Sequence, residues 1–316
     1  MINIITVTLN PTVDLSTSAP RVVPELKLRC TAPEVDPGGG GINVSRAIRL
    51  LGGRSTALVA IGGGTGARCL ELLAQEGIAT VGFQGPGETR QSVSVTDQET
   101  GEQYRFVLPG PEWTETDVER ALDTLDQATG TDTLVVLSGS QPPGVAKNFP
   151  AILAGHVAER AARLIVDTSG PALFNLVETS HPSIYVLRMD GEEAEELAGR
   201  PLPRAEDTAE FASDLVAKNV ASVIIVARGA DGSVLASREG RWHAVTERPV
   251  SVVSKVGAGD SFVGAFAFAL ARGDALPDCL RYGVSAASAA VTTEATRLCD
   301  RGVTDSLMAD CVAREV

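Results

Sequence analysis

Between residues 114 and 227, short apolar runs alternate with longer segments of helical period. The apolar runs are Thr133–Leu137, Leu164–Asp167, Ile184–Leu187 and Ser222–Val226. The helical segments cover 114–128, 145–162, 171–177, 191–198 and 205–218. A strand–helix–strand unit returns its second strand parallel to the first, and a sheet built this way needs helices on both faces. The pattern therefore predicts a three-layer αβα fold with a mostly parallel central sheet. Ligands of such folds bind at the carboxyl ends of the strands. Residues 2–9, Thr56–Ile61 and Ile78–Phe83 read as further strands. After residue 227 come a hairpin (Val234–Ser237 and Arg241–Val245), two Ala-rich helices (260–272 and 277–292) and a last helix at about 304–314. With 316 residues and 44% hydrophobic content, one α/β domain spanning 1–316 is expected, with no repeat or linker to divide it.

A second kind of strand breaks the pattern early. Leu15–Ser18, Lys27–Ala32, Arg90–Asp97 and Gln103–Leu108 are polar and half-exposed in character, the last two forming a hairpin about Gln98–Gly101. They predict a small sheet set apart from the main core, drawn from about 12–35 and 88–110. Lys27, Arg29, Arg90 and Arg105 all fall on these pieces. Solvated surface charge is the ordinary fate of such side chains. In a chain of 40 acidic and 27 basic residues, net −13, four cations gathered on one small sheet also suit a local anion site. The acidic balance argues against a nucleic-acid or anionic-membrane partner. Five scattered Cys, odd in number and without C-x-x-C, predict reduced thiols and a cytoplasmic protein. The three isolated His give no metal site. The first residues run straight into a strand, so no leader is expected, and no apolar run reaches membrane-spanning length.

Two helices open on runs of small residues. Pro37-Gly38-Gly39-Gly40-Gly41 leads into Ile42-Asn43-Val44-Ser45-Arg46-Ala47, and Val256-Gly257-Ala258-Gly259-Asp260 leads into Ser261-Phe262-Val263-Gly264-Ala265. Free amides at a helix N-terminus, with no side chain in the way, accept an approaching anion. A carboxylate on the same turn, Asp260, can take a proton beside them. Capping and helix–sheet packing account for an Asp and two glycines equally well. Four glycines before one helix exceed what a plain connection needs, and Asn43 on its first turn faces whatever lies over them.

With both runs in place, the chain resembles the ribokinase-like (PfkB) family of carbohydrate kinases, along nearly its whole length, and within it the phosphosugar-kinase branch. Thr8-Leu9-Asn10-Pro11…Asp14, Lys27–Pro33, Glu102–Val107, Ser138–Gly144 and Thr296–Cys299 carry the likeness to that branch. The resemblance implies ATP-dependent phosphorylation of a ketohexose phosphate, fructose 6-phosphate first, with a fructose-1-phosphate or tagatose-6-phosphate kinase as the alternative. It implies Asp260 as the base and the amides of Gly257, Ala258 and Gly259 as the cradle for the moving phosphoryl group. Asp14, Gly38, Gly39, Asn43 and Ser138 would hold the sugar, and Lys27, Arg29, Arg90 and Arg105 its phosphate, some of them from a second copy in a homodimer joined through the small sheet. The nucleotide would lie against Arg188, Asp190, Ala227, Gly229, Gly232, Gly257, Gly259 and Thr293, with Mg²⁺ at Asp190 and Glu193 and K⁺ as a further candidate cation.

Departures from the family pattern cluster at the nucleotide end. Arg188-Met189-Asp190-Gly191-Glu192-Glu193 stands where the family has Lys-Pro-Asn-x-x-Glu. Asp190 adds an oxygen ligand for Mg²⁺, or serves as a helix cap, or both. Ala227, Lys255, Thr293 and Ala295 replace Ser, Thr, Asn and Gly of the resembled proteins. Three other readings stay open here: a kinase of unphosphorylated sugars or nucleosides, a sugar-phosphate sensor that has lost catalysis, and, more distantly, a Rossmann oxidoreductase, which the absence of G-x-G-x-x-G after the first strand disfavours.

Overall fold

Ile4 and Ile5 are neighbours in the first strand, yet they are buried in two different cores. A strand buried on both faces sends alternate side chains to opposite sides, so it reads as a continuous apolar run. The computed structural model describes residues 2–181, 183–294 and 296–316. The chain starts with β1 (Asn3–Thr8), β2 (Thr12–Ala19), β3 (Glu34–Gly38) and α1 (Gly40–Leu50). β4 (Thr56–Ile61), α2 (Gly63–Gln75), β5 (Ala79–Gln84), β6 (Arg90–Asp97) and β7 (Gln103–Val107) follow. The alternating stretch comprises α3 (Glu115–Ala128), β8 (Thr133–Ser138), α4 (Phe149–Glu159), β9 (Arg163–Asp167), α5 (Gly170–Glu178), β10 (Ile184–Met189), α6 (Gly191–Ala198), α7 (Ala205–Ala217) and β11 (Val223–Ala227). A single 3-10 turn at Gly229–Asp231 leads to β12 (Ser233–Ser237) and β13 (Gly240–Thr246). The last elements are α8 (Ala258–Arg272), α9 (Leu276–Ala290), α10 (Arg301–Ala309) and β14 (Cys311–Glu315).

Among the described residues the main sheet has ten strands in the order β14-β13-β12-β11-β10-β9-β8-β1-β4-β5. From β11 to β5 every neighbouring pair is parallel. β12, β13 and β14 extend it antiparallel. Val44, Ala47 and Ile48 of α1 pack with α8 and α9 on one face. Leu122 and Leu125 of α3, Leu153 of α4, Leu173 of α5 and Leu215 of α7 cover the other. Three layers result, as the alternation predicted. The chain direction across the sheet reverses at β1, which has β4 on one side and β8 on the other, and the carboxyl ends at such a switch point are where ligands of these sheets bind.

β3-β2-β6-β7 form the separate small sheet. Register sets its chemistry. Asp14 lies opposite Asp36 and Ser92, and Ser94 opposite Arg105, so one face carries Thr12, Asp14, Arg90, Ser92, Ser94 and Arg105. The other face carries Val13, Leu15, Val93, Val95, Tyr104 and Phe106. Val13 packs with Ile42 and Leu72 and anchors the root of the sheet, whereas Tyr104 and Phe106 stay exposed.

Three predicted elements are corrected. Lys27–Ala32 is not a strand: residues 21–33 hold no regular element. Its alternation is real, but Glu34–Gly38 takes the edge of β2 from Thr12 to Ser16, leaving only Ser18 for the amide of Thr31, at 2.9 Å. Lys27 and Arg29 therefore sit on exposed coil, off the sheet. The predicted helix 145–162 begins only at Phe149, after the turns of Pro142-Pro143-Gly144, and ends at Glu159. The predicted helix 304–314 ends at Ala309, and Cys311–Glu315 turns back as an edge strand on β13. That short run has no strand signature of its own. The free edge of β13, distant in sequence, makes it one.

Candidate active site

α8 begins with Gly257 as its N-cap, in the left-handed region at φ 76°. A Cβ there would lie 2.5 Å from Leu298 Cδ2, so the turn requires glycine twice over. The amides of Ala258, Gly259 and Asp260 form the first turn, where no intrahelical acceptor exists. Ser261 N–H closes the turn onto Gly257 O at 2.8 Å. A Cβ on Gly259 would meet the guanidinium of Arg188 at 3.2 Å, so the absent side chain lets that cation lie against the amides.

Asp260 is in the same turn. Asn43 Nδ2, from the first turn of α1, donates to its Oδ2 at 2.9 Å. Removal from water raises its pKa to about 6, with the nearby carboxylate of Asp167 adding to the effect. Asn43, Arg188 and Ser138 oppose that rise. One hydrogen bond thus joins the first turns of two helices from opposite ends of the chain.

Ser138 ends β8 and donates to Asp167 Oδ2 at 3.1 Å. Asp167 ends β9, and Arg188 on β10 donates to its Oδ1 at 2.9 Å. Both charged side chains are largely buried, 12% and 16% exposed. Such a pair is costly to desolvate unless further bonds satisfy it, and Nε of Arg188 is a buried donor without a partner among the described residues. A guanidinium with a donor to spare, beside free amides, suits an incoming polyanion. Asp167 and Arg46 are the functional candidates that sequence reasoning passed over. Asp167 had the same signal as Ser138, the last residue of a parallel strand. Arg46 lies within the glycine-run signature, one helical turn after Asn43.

Asp14 comes from β2, over the glycine run. A Cβ on Gly38 would fall 2.1 Å from its Oδ2. Gly39 is at φ 114°, with Thr8 and the Pro11 backbone against it. On Gly40 a Cβ would strike Ser138 and Gly139, so the start of α1 lies directly on the end of β8. Burial raises the Asp14 pKa, while the Thr12 hydroxyl and the charges of Arg90, Arg105 and Arg46 pull it down. Arg90 donates to the carbonyls of Leu108 and Asn10 at 3.2 and 3.3 Å. The structure thus brings Asp14, Gly38, Arg90 and Arg105 together, and separately Asn43, Ser138, Arg188, Asp260 and the cradle of Gly257–Gly259. Lys27 and Arg29 join neither group.

Asp190 caps α6: its Oδ1 accepts from Glu193 N–H, and Glu193 Oε2 accepts from Asp190 N–H, both at 2.9 Å. It is therefore a helix cap. Burial raises the Glu193 pKa. Among the described residues no group of three metal-ligating side chains comes together. Hard oxygen donors in pairs suit a divalent ion that completes its shell from substrate phosphates and water. Ala227 ends β11, its carbonyl 3.1 Å from where a Cβ of Gly191 would stand. Gly229 and Gly232, both at positive φ, shape the turn that follows. The hydroxyl of Thr293 lies 2.8 Å from Ala290 O and 2.7 Å from Arg297 O, holding the segment after α9. Ala295 lies outside the described residues. Among those residues no helix is long and apolar enough to cross a membrane.

Residues 4–301 match the pfkB family of carbohydrate kinases. The ATP-dependent 6-phosphofructokinase isozyme 2 of Mycobacterium tuberculosis is 39% identical over 298 residues, 94% of this chain and 86% of that protein. A 1-phosphofructokinase of Escherichia coli is 31% identical over 305 residues, 96% of each. Crystalline phosphofructokinase-2 from Escherichia coli in complex with fructose-6-phosphate superposes with a TM-score of 0.89, at 37% identity, over 98% of this chain and 99% of that one. The same enzyme is known in complex with potassium and in a tetrameric inhibited form. Two glycine-opened helices meeting at Asp260, on a three-layer αβα fold with a small second sheet, agree with these likenesses. The chain belongs to the pfkB family of carbohydrate kinases.

Proposed function

We propose that this carbohydrate kinase transfers the terminal phosphoryl group of ATP to fructose 6-phosphate, giving fructose 1,6-bisphosphate. The observation that carries the reading is the carboxylate of Asp260, held by Asn43 on the turn that also presents bare amides and borders Arg188. Its raised pKa makes it a stronger base while leaving it ionised at neutral pH. Asp260 takes the proton from the attacking sugar hydroxyl as that oxygen bonds to the terminal phosphorus. The bond from phosphorus to the bridging oxygen breaks, and that oxygen leaves with ADP. The amides of Ala258 and Gly259 and the guanidinium of Arg188 hold the charge on the moving group.

Asp14 and Asn43 orient the sugar, and Arg90 and Arg105 on the polar face of the small sheet take its phosphate. A divalent ion, when bound, would neutralise phosphate charge, and the carboxylates of Asp190 and Glu193 would hold it. Potassium is a candidate activator by likeness to the crystallised enzyme. Tyr104, Phe106, Val107 and Leu108, exposed on β7 and just beyond it, suit contact with a second copy through the small sheet. Four of the five unpaired cysteines are buried as thiols, which suits a cytoplasmic setting.

The test is ADP release with ATP and a panel of fructose 6-phosphate, fructose 1-phosphate, tagatose 6-phosphate and fructose. The proposal expects the highest kcat/KM with fructose 6-phosphate and little turnover of fructose. Preference for another phosphosugar would reassign the substrate. Absence of turnover on all of them would refute the kinase reading.

A further inference from the structure

Arg46 lies on the same face of α1 as Asn43, one turn further on, with only 10% of its side chain exposed. Glu76 accepts from Nε through both oxygens, at 3.0 and 2.9 Å. Asp36 accepts from Nη2 at 3.3 Å. Nη1 faces the carbonyls of Pro37 and Thr296, each at 3.4 Å, and Oδ1 of Asn43 at 3.5 Å. A guanidinium has donors only. The end of the Asn43 amide turned toward it must be the carbonyl, so the NH₂ end faces Asp260. Turned over, that amide would set N–H against guanidinium and oxygen against carboxylate, two repulsions in place of two attractions.

We propose that Arg46 is a positioning residue for the base: it fixes which end of Asn43 faces Asp260, and through Asp36 and Thr296 it ties that setting to the small sheet. Asp36 stands on β3, directly opposite Asp14. Its other oxygen accepts from Thr296 Oγ1 at 2.7 Å. Two residues on, Leu298 occupies the space that Gly257 leaves beneath the cradle. One carboxylate therefore joins the root of the small sheet, the guanidinium that sets Asn43, and the segment under the anion site. No catalytic contact by Arg46 itself is implied.

The consequence is a change in the proton affinity of Asp260. The groups that face it are Asn43 from α1, Ser138 from β8, Asp167 from β9 and Arg188 from β10. Asp167 favours its protonated form, and the other three favour the carboxylate. Losing the Asn43 donor removes one of the three, and reversing the amide adds a repulsion, so both raise the pKa. A hydrogen bond to a charged group corresponds to a shift of roughly 1–2 pH units.

The inference rests on Asp260 as the base only for its catalytic meaning, so the test reads the carboxyl group directly. The ¹³C carboxyl signal of Asp260, assigned by its loss in Asp260→Asn, is titrated in the full chain. The variants are Arg46→Gln, Arg46→Lys, Asp36→Asn, Asn43→Ala and the Arg46→Gln/Asn43→Ala pair, with kcat/KM measured against pH alongside. Asn43→Ala is expected to move the midpoint upward by roughly 1–2 units, and Arg46→Gln to move it the same way by no more than that. The pair should move it no further than Asn43→Ala alone. Arg46→Lys should recover part of the shift, and Asp36→Asn should give a smaller shift of the same sign. Asp36→Asn and Arg46→Lys carry the test if Arg46→Gln fails to fold. An unmoved midpoint in the folded Arg46 and Asp36 variants, or shifts that add in the pair, would overturn the proposal. Sustained turnover by Asp260→Asn would instead remove the base assignment and leave the titration result standing.

Discussion

A carboxyl group with a pKa of about 6 ties activity and stability to pH in opposite senses. In the proposed role of base it works only when deprotonated, so kcat/KM of the free enzyme should fall tenfold per pH unit below about 6, read from initial rates between pH 5 and 8. For stability the folded state holds the proton more tightly than the unfolded state, whose ordinary value is 3.8. Ionisation therefore weakens the fold, and the loss sets in as pH rises through the window from 3.8 to about 6. Asp260→Asn removes that loss. It should be more stable than the parent above pH 6, by up to about 3 kcal/mol, and no more stable below pH 4, as thermal melts would show. Equal melting temperatures for parent and variant at pH 8 would mean that folding leaves this carboxylate well solvated. In the proposed site the arginines act on the substrate instead. Arg90→Ala or Arg105→Ala should cost about 1.5–3 kcal/mol in kcat/KM for fructose 6-phosphate, mainly through KM, and little for unphosphorylated fructose. An equal loss for both sugars would place those cations outside the phosphate site.

Among the elements, α8 depends most on one residue. Gly257→Ala meets a positive φ and a contact with Leu298 at once. A loss of about 1–2 kcal/mol from the left-handed backbone alone is expected, together with a fall in kcat as the cradle shifts, both measurable by denaturant melts and steady-state rates. Unchanged stability would show that the turn relaxes freely. This element was legible from sequence because every cue was local: small residues, then an acid, then a helical period. The αβα layers were legible for the same reason, since buried parallel strands are apolar runs in their own right. β14 and the coil at Lys27–Ala32 were not. Whether either segment pairs depends on an edge elsewhere, on β13 for the first and β2 for the second. Asp167 shows the same limit at the site. A single Asp at a strand end is ordinary until Arg188, Ser138 and Asp260 are seen around it.

At the scale of the whole molecule, the small sheet has a polar face and an exposed apolar edge. Its polar face carries Asp14, Arg90 and Arg105, while Phe106 and Val107 at the far edge are 55% and 61% exposed. Lys27 and Arg29, on coil away from both halves of the site, have a use if a second copy brings them to it. Sedimentation should therefore show a dimer or larger assembly, and Phe106→Lys should shift it toward monomer while the fold persists. A parent that sediments as a monomer at micromolar concentration would leave these apolar side chains unexplained.

The account stands on Asp260 as the proton acceptor in a sugar-phosphate kinase. Its most direct test is paired measurement on Asp260→Asn at pH 8, with turnover from ADP release and fructose 6-phosphate affinity by calorimetry. A fall in kcat of roughly 10²–10⁴ with affinity kept is the result the account predicts. Turnover within tenfold of the parent would contradict it.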